Sequence, residues 1–286
     1  CLTDKQRKGA ATVAPKRTRL DAELVRRKIA RSREQAQTWI KEGRVQVGGF
    51  TATKPATVVE PEASIRVNTD DVDDWASRGA HKLLGALEVF GGDGLVVKKR
   101  KALDAGASTG GFTDVLLSRG ASEVVAVDVG YGQLVWRLQN DERVRVLDRT
   151  NIRNLTPEMM GGPADLMVGD LSFISLKLVL PALAECMVDG ADMLPMVKPQ
   201  FEVGKDRLGS GGVVRSPELR AEVTLDVARF AQSLGLSVRG ATASPLPGPS
   251  GNVEYFLWLV KDGGKHKLDD DALAELVNRA IEEGPK

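Results

Sequence analysis

From residue 78 onward, short apolar segments alternate with segments of helical periodicity, and this feature constrains the fold more than any other. Alternation of this kind is typical of an α/β fold in which helices cover a sheet. We predict strands over residues 102–104, 124–128, 144–147, 166–170, 193–198, 236–243 and 255–260. The predicted helices are 112–119, 133–139, 176–187 and 217–234, with a last amphipathic helix over 270–283 that packs back on the body.

The charge of the chain is divided unevenly. Its formal net charge is only +1, but residues 1–50 hold 13 Lys and Arg against 5 Asp and Glu, and the other residues hold 27 against 34. A cationic segment ahead of a mildly acidic body indicates a module that binds a polyanion, whereas the alternative is a solubilising basic tail. The 286 residues suffice for one large domain and a small one.

Several classes of protein are disfavoured by what the sequence contains. No apolar run approaches the roughly 18 residues of a membrane span and no signal-peptide core opens the sequence, so we expect a soluble cytoplasmic protein. The two cysteines, Cys1 and Cys186, are too few for a disulfide framework or a zinc cluster. With only two histidines, His81 and His266, we expect no metal centre. The chemistry therefore has to use carboxylates and lysines.

The basic N-terminal segment has its own pattern of short helices and strands. Leu20, Leu24 and Ile29 recur at helical spacing, Ser32 and Gln35 form a capping box for a second helix, and residues 44–47 alternate as a short strand. Basic side chains spread over both helices and form one surface. We interpret them as phosphate contacts, the alternative being a solvated helix face. The candidate RNA-binding residues are Arg17, Arg19, Arg26, Arg27, Arg31, Arg33, Lys41 and Arg44.

The same segment resembles a known RNA-binding module. The resemblance rests on Arg19-Leu20-Asp21, Leu24-Val25, Ala30-Arg31-Ser32-Arg33 and the GRVQVGG sequence of residues 43–49. These residues look like the alpha-L motif of the small-subunit ribosomal protein S-four. The resemblance implies that the module binds structured RNA, and residues 54–67 are expected to complete its strands.

A glycine-rich turn joins a predicted strand to a helix start over residues 103–112, with the sequence LDAGASTGGF. Small residues let the backbone approach a bound nucleoside closely, and free N–H groups at a helix start can receive a carboxylate or phosphate. Asp128 ends the next strand, where a carboxylate can bind ribose hydroxyls. The candidate cofactor-binding residues are Asp104, Gly106, Ser108, Thr109, Gly110, Gly111, Phe112, Asp128 and Asp170.

Three interpretations compete for this turn. It does not fit the G-x-G-x-x-G dinucleotide fingerprint, and no lysine follows as in a P-loop. It does fit the G-x-S-x-G elbow of hydrolases, but the only later histidine, His266, lies in a polar tail between Lys265 and Lys267. Its D-x-G-x-S-x-G-G-F form resembles the first motif of S-adenosylmethionine methyltransferases, especially the heat-shock ribose methyltransferases.

Four further motifs each place an ionisable residue near the edge of a predicted strand or at a helix start. They are SRGAHKL (77–83), GDLSFIS (169–175), MVKPQFE (196–202) and GNVEY (251–255), and their ionisable residues of interest are Lys82, Asp170, Lys198 and Glu254. Because the carboxyl ends of strands line the ligand crevice of a doubly wound sheet, Asp170 and Lys198 should meet beside the glycine-rich turn. Lys82 and Glu254 can join them there.

These residue types suit the methylation of a ribose hydroxyl. With an activated methyl donor, an enzyme mainly has to align the attacking oxygen and remove its proton. Nearby ammonium groups favour the alkoxide of this weak acid, and carboxylates can hold the lysines and accept protons. The alternative is a set of surface ion pairs. The Asp170-Leu-Ser-Phe context also differs from the Asn/Asp-Pro-Pro-Tyr/Phe typical of amino-group methyltransferases.

Together and in this order, the motifs and the basic module resemble the TlyA family of ribosomal RNA 2′-O-methyltransferases over about residues 17–285. The resemblance implies a Rossmann-like, doubly wound class I methyltransferase sheet of seven strands, the last pair antiparallel, with a small α+β N-terminal RNA-binding domain. It also implies S-adenosylmethionine as cofactor and Lys82, Asp170, Lys198 and Glu254 as the catalytic tetrad. The product would be 2′-O-methylcytidine in small- and large-subunit rRNA, with an effect on sensitivity to capreomycin-type antibiotics. The sequence leaves the oligomeric state open, and we favour a monomer on the ribosomal subunit.

We divide the chain into an extension or tag (1–14), the RNA-binding domain (15–69), a linker (70–77) and the methyltransferase domain (78–286). The long form of the family commonly has an arginine two residues before the linker tryptophan, where this chain has Asp73 before Asp74 and Trp75. A contribution of this linker to cofactor affinity is therefore left open. Trp136 and Phe173 either stack on adenine or a flipped cytidine or pack in the core.

Two other classes of function compete with methyl transfer. One is a non-catalytic RNA-binding or ribosome-assembly factor that keeps a methyltransferase fold. The other is a membrane-lysing protein, because the TlyA family has carried a haemolysin label. The absence of an apolar span disfavours the second.

Overall fold

The computed structural model describes residues 17–68 and 75–286. The chain divides into two compact units, Cys1–Asp74 and Trp75–Lys286. The predicted extension over residues 1–14 and most of the predicted linker lie outside the described residues. The division into four segments given above therefore stays a prediction.

The first unit is a small α+β fold built on two short helices. Its elements are β1 (Thr18–Arg19), α1 (Leu20–Arg26), α2 (Arg33–Lys41), β2 (Val45–Val47), β3 (Phe50–Thr51), β4 (Val58–Val59) and β5 (Ile65–Val67). Strand β1 pairs with β4, and β2 pairs with β3 and β5, all antiparallel. Ser32 caps α2 by accepting a hydrogen bond from the Gln35 N–H at 3.1 Å. Leu20, Leu24 and Ile40 are fully buried between the helices and strands.

The second unit contains a seven-stranded sheet. Its strands are β6 (Lys101–Ala105), β7 (Glu123–Val127), β8 (Val144–Leu147), β9 (Ala164–Gly169), β10 (Met187–Val197), β11 (Leu236–Ala243) and β12 (Tyr255–Lys261). Their order in the sheet is β11-β12-β10-β9-β6-β7-β8. Neighbours from β10 to β8 are parallel, while β12 is antiparallel to both β10 and β11. The predicted doubly wound sheet of seven strands with an antiparallel last pair is confirmed.

Helices cover both faces of this sheet. They are α3 (Ala80–Gly92), α4 (Gly111–Ser118), α5 (Trp136–Gln139), α6 (Leu176–Glu185), α7 (Pro217–Ser233) and α8 (Asp270–Glu283). Successive strand residues point to opposite faces, so Leu103 packs in the apolar cluster with α6, α7 and α8, whereas Ala102 packs in the cluster with α3 and α4. The amphipathic helix predicted over 270–283 is present with the same bounds.

Two helices differ from the prediction. Helix α3 was missed, although Leu83, Leu87 and Phe90 are buried at helical spacing along it. The helix predicted over 133–139 is only four residues long, because the Val135 N–H bonds to the Thr109 carbonyl at 3.1 Å and holds its backbone extended. The segment before α5 therefore supports the glycine-rich turn instead of continuing the helix.

Candidate active site

The glycine-rich turn lies where the strand connections diverge, between β6 and β9. Gly106 has a positive φ of 81°, and a Cβ added there would lie 2.5 Å from the backbone oxygen of Asp170. Only glycine allows so close an approach of the two loops. The loop after β6 thus touches the residue that follows β9, at the switch point where open α/β sheets bind ligands.

Asp128 organises this turn. Its two carboxylate oxygens accept hydrogen bonds from the N–H groups of Ser108 and Gly130, each at 2.8 Å. Ser108 itself has a φ of 50°, a left-handed conformation that is uncommon for a residue other than glycine. Each carboxylate oxygen still has a lone pair to offer, so the half-buried Asp128 can hold the turn and bind a ligand hydroxyl at once.

Asp104 lies beneath the turn and is fully buried. Its Oδ2 accepts a hydrogen bond from the Thr113 hydroxyl at 2.7 Å, and its Oδ1 has no hydrogen-bond partner among the described residues. Burial raises the pKa of this carboxyl to about 7. A buried carboxyl oxygen without a partner, beside the start of α4, is a polar group available to a bound molecule.

The predicted catalytic residues lie in two lysine–carboxylate pairs. The Lys198 ammonium contacts Asp170 Oδ1 at 2.5 Å and donates to the Ser172 hydroxyl at 2.9 Å. The Lys82 ammonium donates to Glu254 Oε2 at 2.6 Å. Glu254 is fully buried, while 26% of the Asp170 side chain is exposed. Asp170 is therefore the carboxylate that a bound substrate can reach.

Strand register brings the two pairs to the same edge of the sheet. Val197, the last residue of β10, pairs with Tyr255, the first residue of β12. Lys198 and Glu254 are the next residue on each strand, so they leave the ladder opposite one another. On the other side of β10, Pro195 pairs with Gly169, which directly precedes Asp170. Lys82 comes from helix α3 and reaches this edge through its hydrogen bond to Glu254.

In the first unit, the predicted RNA-binding arginines are partly engaged within the fold. Asp21 and Glu23 are buried in α1, where Arg19 and Arg33 pair with Asp21, and Arg26 and Arg27 pair with Glu23. Hydrogen bonds from Arg26 and Arg27 lower the pKa of Glu23 to about 2. The pKa of Asp21 is held well below its usual range, mainly by Arg19. This surface therefore carries less free charge than the residue count indicates.

Arg27 differs from the other arginines. Only 22% of its side chain is exposed, and it donates to the Ala63 and Pro61 carbonyls at 2.7 Å each as well as to Glu23. These contacts join α1 to the segment before β5, which is a structural role. Arg26 and Arg33 expose 60% and 56% of their side chains, so their guanidinium groups are available to phosphates.

Both aromatic residues left open by the sequence are exposed. Trp136 is 77% and Phe173 is 89% accessible to solvent, so neither packs in the core. Phe173 follows Asp170 closely, and its ring contacts that of Phe201 with centroids 5.1 Å apart. The sequence analysis missed the exposed Tyr131, whose ring lies under the Arg149 guanidinium at 4.3 Å. The sequence signal for this contact is an aromatic residue shortly after β7 and a basic residue shortly after β8.

Other expectations concern metals, thiols and membranes. No cluster of His, Cys, Asp or Glu suited to a metal ion occurs within residues 17–68 and 75–286. Cys186 is buried, and burial raises the pKa of its thiol to about 11. Among the described helices, none combines the length and the apolar character that crossing a membrane requires.

Comparison with known proteins identifies the class. A model of FtsJ-like methyltransferases matches residues 75–261, and a model of the S4 domain matches residues 18–65. The 16S/23S rRNA (cytidine-2′-O)-methyltransferase TlyA of Mycobacterium tuberculosis is 59% identical over 270 residues, which are 94% of this chain and 99% of that protein. Hemolysin A of Brachyspira hyodysenteriae is 34% identical over 85% of this chain and 99% of that protein.

A solved structure, described as a candidate hemolysin of Streptococcus thermophilus, is 37% identical with a TM-score of 0.71 and covers 94% of this chain and 98% of that chain. The fold, the site and these matches define the class: an FtsJ-like methyltransferase preceded by an S4 domain. Within that class, the chain belongs to the TlyA family.

Proposed function

We propose that the protein transfers a methyl group from S-adenosylmethionine to the 2′-hydroxyl of cytidine in small- and large-subunit rRNA. The observation that carries the proposal is the placement of two lysine–carboxylate pairs at one edge of the sheet, next to the glycine-rich turn. The substrate is supported by the name of the Mycobacterium tuberculosis relative. The proposal includes action in the cytoplasm, by a monomer on the ribosomal subunit, and an effect on sensitivity to capreomycin-type antibiotics.

The turn fits S-adenosylmethionine. The close approach of Gly106 to the Asp170 backbone, the N–H groups at the start of α4 and the unpartnered Asp104 Oδ1 suit a nucleoside with an amino-acid tail. Asp128, directly after β7, would accept hydrogen bonds from ribose hydroxyls. When bound, this cofactor supplies an activated methyl group. The protein then has to position the ribose oxygen and handle its proton.

Lys198 and Asp170 would act directly on the substrate. An ammonium next to the 2′-hydroxyl lowers the pKa of that hydroxyl, because the positive charge favours the alkoxide. Asp170 orients the Lys198 ammonium at 2.5 Å and is exposed enough to accept the departing proton. Assistance of this kind is typically worth about 10²–10⁴ in rate.

Lys82 and Glu254 form the second, more buried pair. Because Glu254 is fully buried and bonded to Lys82, its charge holds that ammonium in place, so Lys82 supplies a second positive charge at the edge of the sheet. Both lysine–carboxylate pairs would then act together on the 2′-oxygen of the ribose.

The exposed aromatic residues can stack on an RNA base that is flipped out of its helix. Phe173 lies three residues after Asp170 with its ring in solvent, where it can stack on an extruded cytosine. The exposed guanidinium groups of Arg26 and Arg33 can bind the rRNA backbone. The first unit would thus hold the RNA while the second performs the reaction.

The experiment that tests this proposal is nucleoside mass spectrometry of ribosomal subunits from cells that lack 2′-O-methylcytidine. The subunits are incubated with S-adenosylmethionine and the purified protein, and the modified positions are mapped. We expect new 2′-O-methylcytidine in both subunits. Tight rRNA binding without any new ribose methyl would contradict the proposal and favour a non-catalytic RNA-binding factor.

A relative named Hemolysin A makes lysis a second candidate to be measured. Dye release from liposomes is recorded with the purified, lipid-free protein. We expect no release at concentrations that methylate rRNA. Lysis by a protein that leaves rRNA unmodified would replace the methyltransferase proposal.

A further inference from the structure

Glu202 belongs to the MVKPQFE motif that supplies Lys198, but nothing in the proposed reaction uses it. Its Oε2 accepts a hydrogen bond from the Ser175 hydroxyl at 2.6 Å, and its Oε1 accepts one from the Leu176 N–H at 2.8 Å. Ser175 is the N-cap of α6, and Leu176 is the first residue of that helix. Glu202 therefore satisfies a helix-start N–H group from outside the helix.

These contacts join the two loops that carry the first lysine–carboxylate pair. The loop after β9 runs from Asp170 to Ser175, and the segment after β10 runs from Lys198 to Glu202. Lys198 binds Asp170 at one end of the two segments, and Glu202 binds Ser175 at the other. Between these contacts, the rings of Phe173 and Phe201 lie 5.1 Å apart. Asp170 and Phe173 are thus held from both ends.

The loop after β9 needs such support. Phe173 has a φ of 63°, in the left-handed region that a bulky side chain rarely adopts. Its ring is also 89% exposed, so burial does not fix it. A residue kept in this conformation at a functional site requires neighbours that determine its position.

Glu202 is an unusual residue for a purely stabilising contact. Burial raises the pKa of its carboxyl, although the charge of Lys177, which itself pairs with Asp226, acts in the opposite direction. A desolvated carboxylate whose nearby cation is paired elsewhere is costly. Its two hydrogen bonds and the positive end of the α6 dipole compensate that cost only while α6 and the loop stay in place.

We propose that Glu202 is a positioning residue for methyl transfer, which fixes the loop from Asp170 to Ser175 against the segment that carries Lys198. This inference rests on the proposed function. Glu202 acts through Ser175 and Leu176 and does not touch the substrate. It keeps Asp170 and the Phe173 ring in a fixed position relative to Lys198 during the reaction.

The test compares three variants of the full chain in a tritiated-methyl assay on ribosomal subunits. Glu202→Ala removes both hydrogen bonds, and we expect kcat to fall about 10- to 100-fold, as typical for lost positioning of reacting groups. Glu202→Gln can accept from the Leu176 N–H and donate to the Ser175 oxygen, so we expect it to keep kcat within about threefold of the wild type. Cofactor affinity, measured by calorimetry, should be unchanged in both.

Glu218→Ala is the matched control. Glu218 accepts a hydrogen bond from Ser216, the N-cap of α7, at 2.8 Å, so it makes the same kind of contact at a helix start outside the site. We expect wild-type kcat for this variant. If Glu202→Ala does not fold, Ser175→Ala removes the same hydrogen bond from the other side and should also lower kcat.

The outcomes separate this inference from the proposed function. Wild-type kcat in Glu202→Ala, or in Ser175→Ala, overturns the positioning role while the methyltransferase proposal stands. A fall in cofactor affinity equal to the fall in kcat overturns it as well, because it indicates general disruption of the site. A wild-type protein that transfers no methyl group overturns both.

Discussion

Burial raises the pKa of the Asp104 carboxyl to about 7 from an ordinary value of 3.8, although the hydrogen bond from Thr113 acts in the opposite direction. Between these two values, the folded protein keeps a proton that the unfolded chain has lost. The free energy of unfolding therefore decreases as the pH rises from about 4 to 7, and the contribution of Asp104 is constant above that range.

Asp104→Asn tests this dependence, because the amide is neutral at every pH. We expect the free energy of unfolding of the wild type to fall more steeply than that of the variant, by up to about 1.4 kcal/mol per pH unit between pH 4 and 7. Urea unfolding at several pH values measures both slopes. Parallel curves for the two proteins would show that Asp104 is ionised in the folded state.

At the scale of elements, the end of α1 carries one arginine that stabilises the fold, Arg27, and one whose side chain stays mostly exposed, Arg26. Arg26 and Arg27 both pair with Glu23, but only Arg27 also bonds to two backbone carbonyls across the unit. Glu23 is almost fully buried, so its charge depends on these partners.

We predict that Arg27→Ala destabilises the first unit by about 2 kcal/mol, because it leaves two carbonyls and part of a buried carboxylate without donors. Arg26→Ala should destabilise the unit much less than Arg27→Ala, since its side chain is mostly exposed and Glu23 keeps Arg27. Hydrogen exchange of amides in α1 and α2 reports on this unit alone. Equal loss of protection in the two variants would contradict the structural role of Arg27.

The elements show which parts of the structure were predictable from the sequence. All seven strands of the large sheet were predicted, because short apolar runs between glycine-rich turns are typical of buried strands. The start of β10 was wrong, since this strand begins at Met187, the last residue of the helix predicted over 176–187. The predicted length of α5 was wrong, because the hydrogen bond from the Val135 N–H to the Thr109 carbonyl is a tertiary contact that no local pattern encodes. Helix α3 was missed because its apolar residues lie on more than one side and its glycines obscure the periodicity.

The site was predicted unevenly for a similar reason. The motifs identified Lys82, Asp170, Lys198 and Glu254, and strand ends indicated that they lie at one edge. The Val197–Tyr255 register puts Lys198 opposite Glu254, yet Lys198 binds Asp170 and Lys82 of α3 binds Glu254. Which lysine binds which carboxylate thus depends on tertiary contacts, which could not be read from the sequence. The pairing of arginines with Asp21 and Glu23 was likewise hidden, because net charge does not reveal buried partners.

At the scale of the molecule, the proposed function assigns RNA binding to the first unit and methyl transfer to the second. The first carries exposed cations on a small α+β fold, and the second carries the glycine-rich turn and the two lysine–carboxylate pairs. If each unit has its own task, RNA affinity and cofactor affinity should respond to different substitutions.

We predict that Arg26→Ala, Arg33→Ala and Lys41→Ala together weaken rRNA binding and reduce the slope of log K against log salt by roughly 2 to 3. The affinity for S-adenosylmethionine should be unchanged. Filter binding at several salt concentrations and calorimetry measure the two quantities. An unaltered salt slope would mean that this face is only solvated.

The central claim is that Lys82–Glu254 and Lys198–Asp170 act as one methyl-transferring centre. The most direct test is the initial rate of methyl transfer for Lys82→Ala, Lys198→Ala and the double variant. Arg229→Ala is the control, because Arg229 forms an exposed ion pair with Asp270. We predict that the rate falls by a factor of about 10²–10⁴ in each single variant and stays at the wild-type level in the control. The double variant should be no slower than the slower of the two single variants. Full activity in Lys198→Ala, or losses that multiply in the double variant, would contradict the claim.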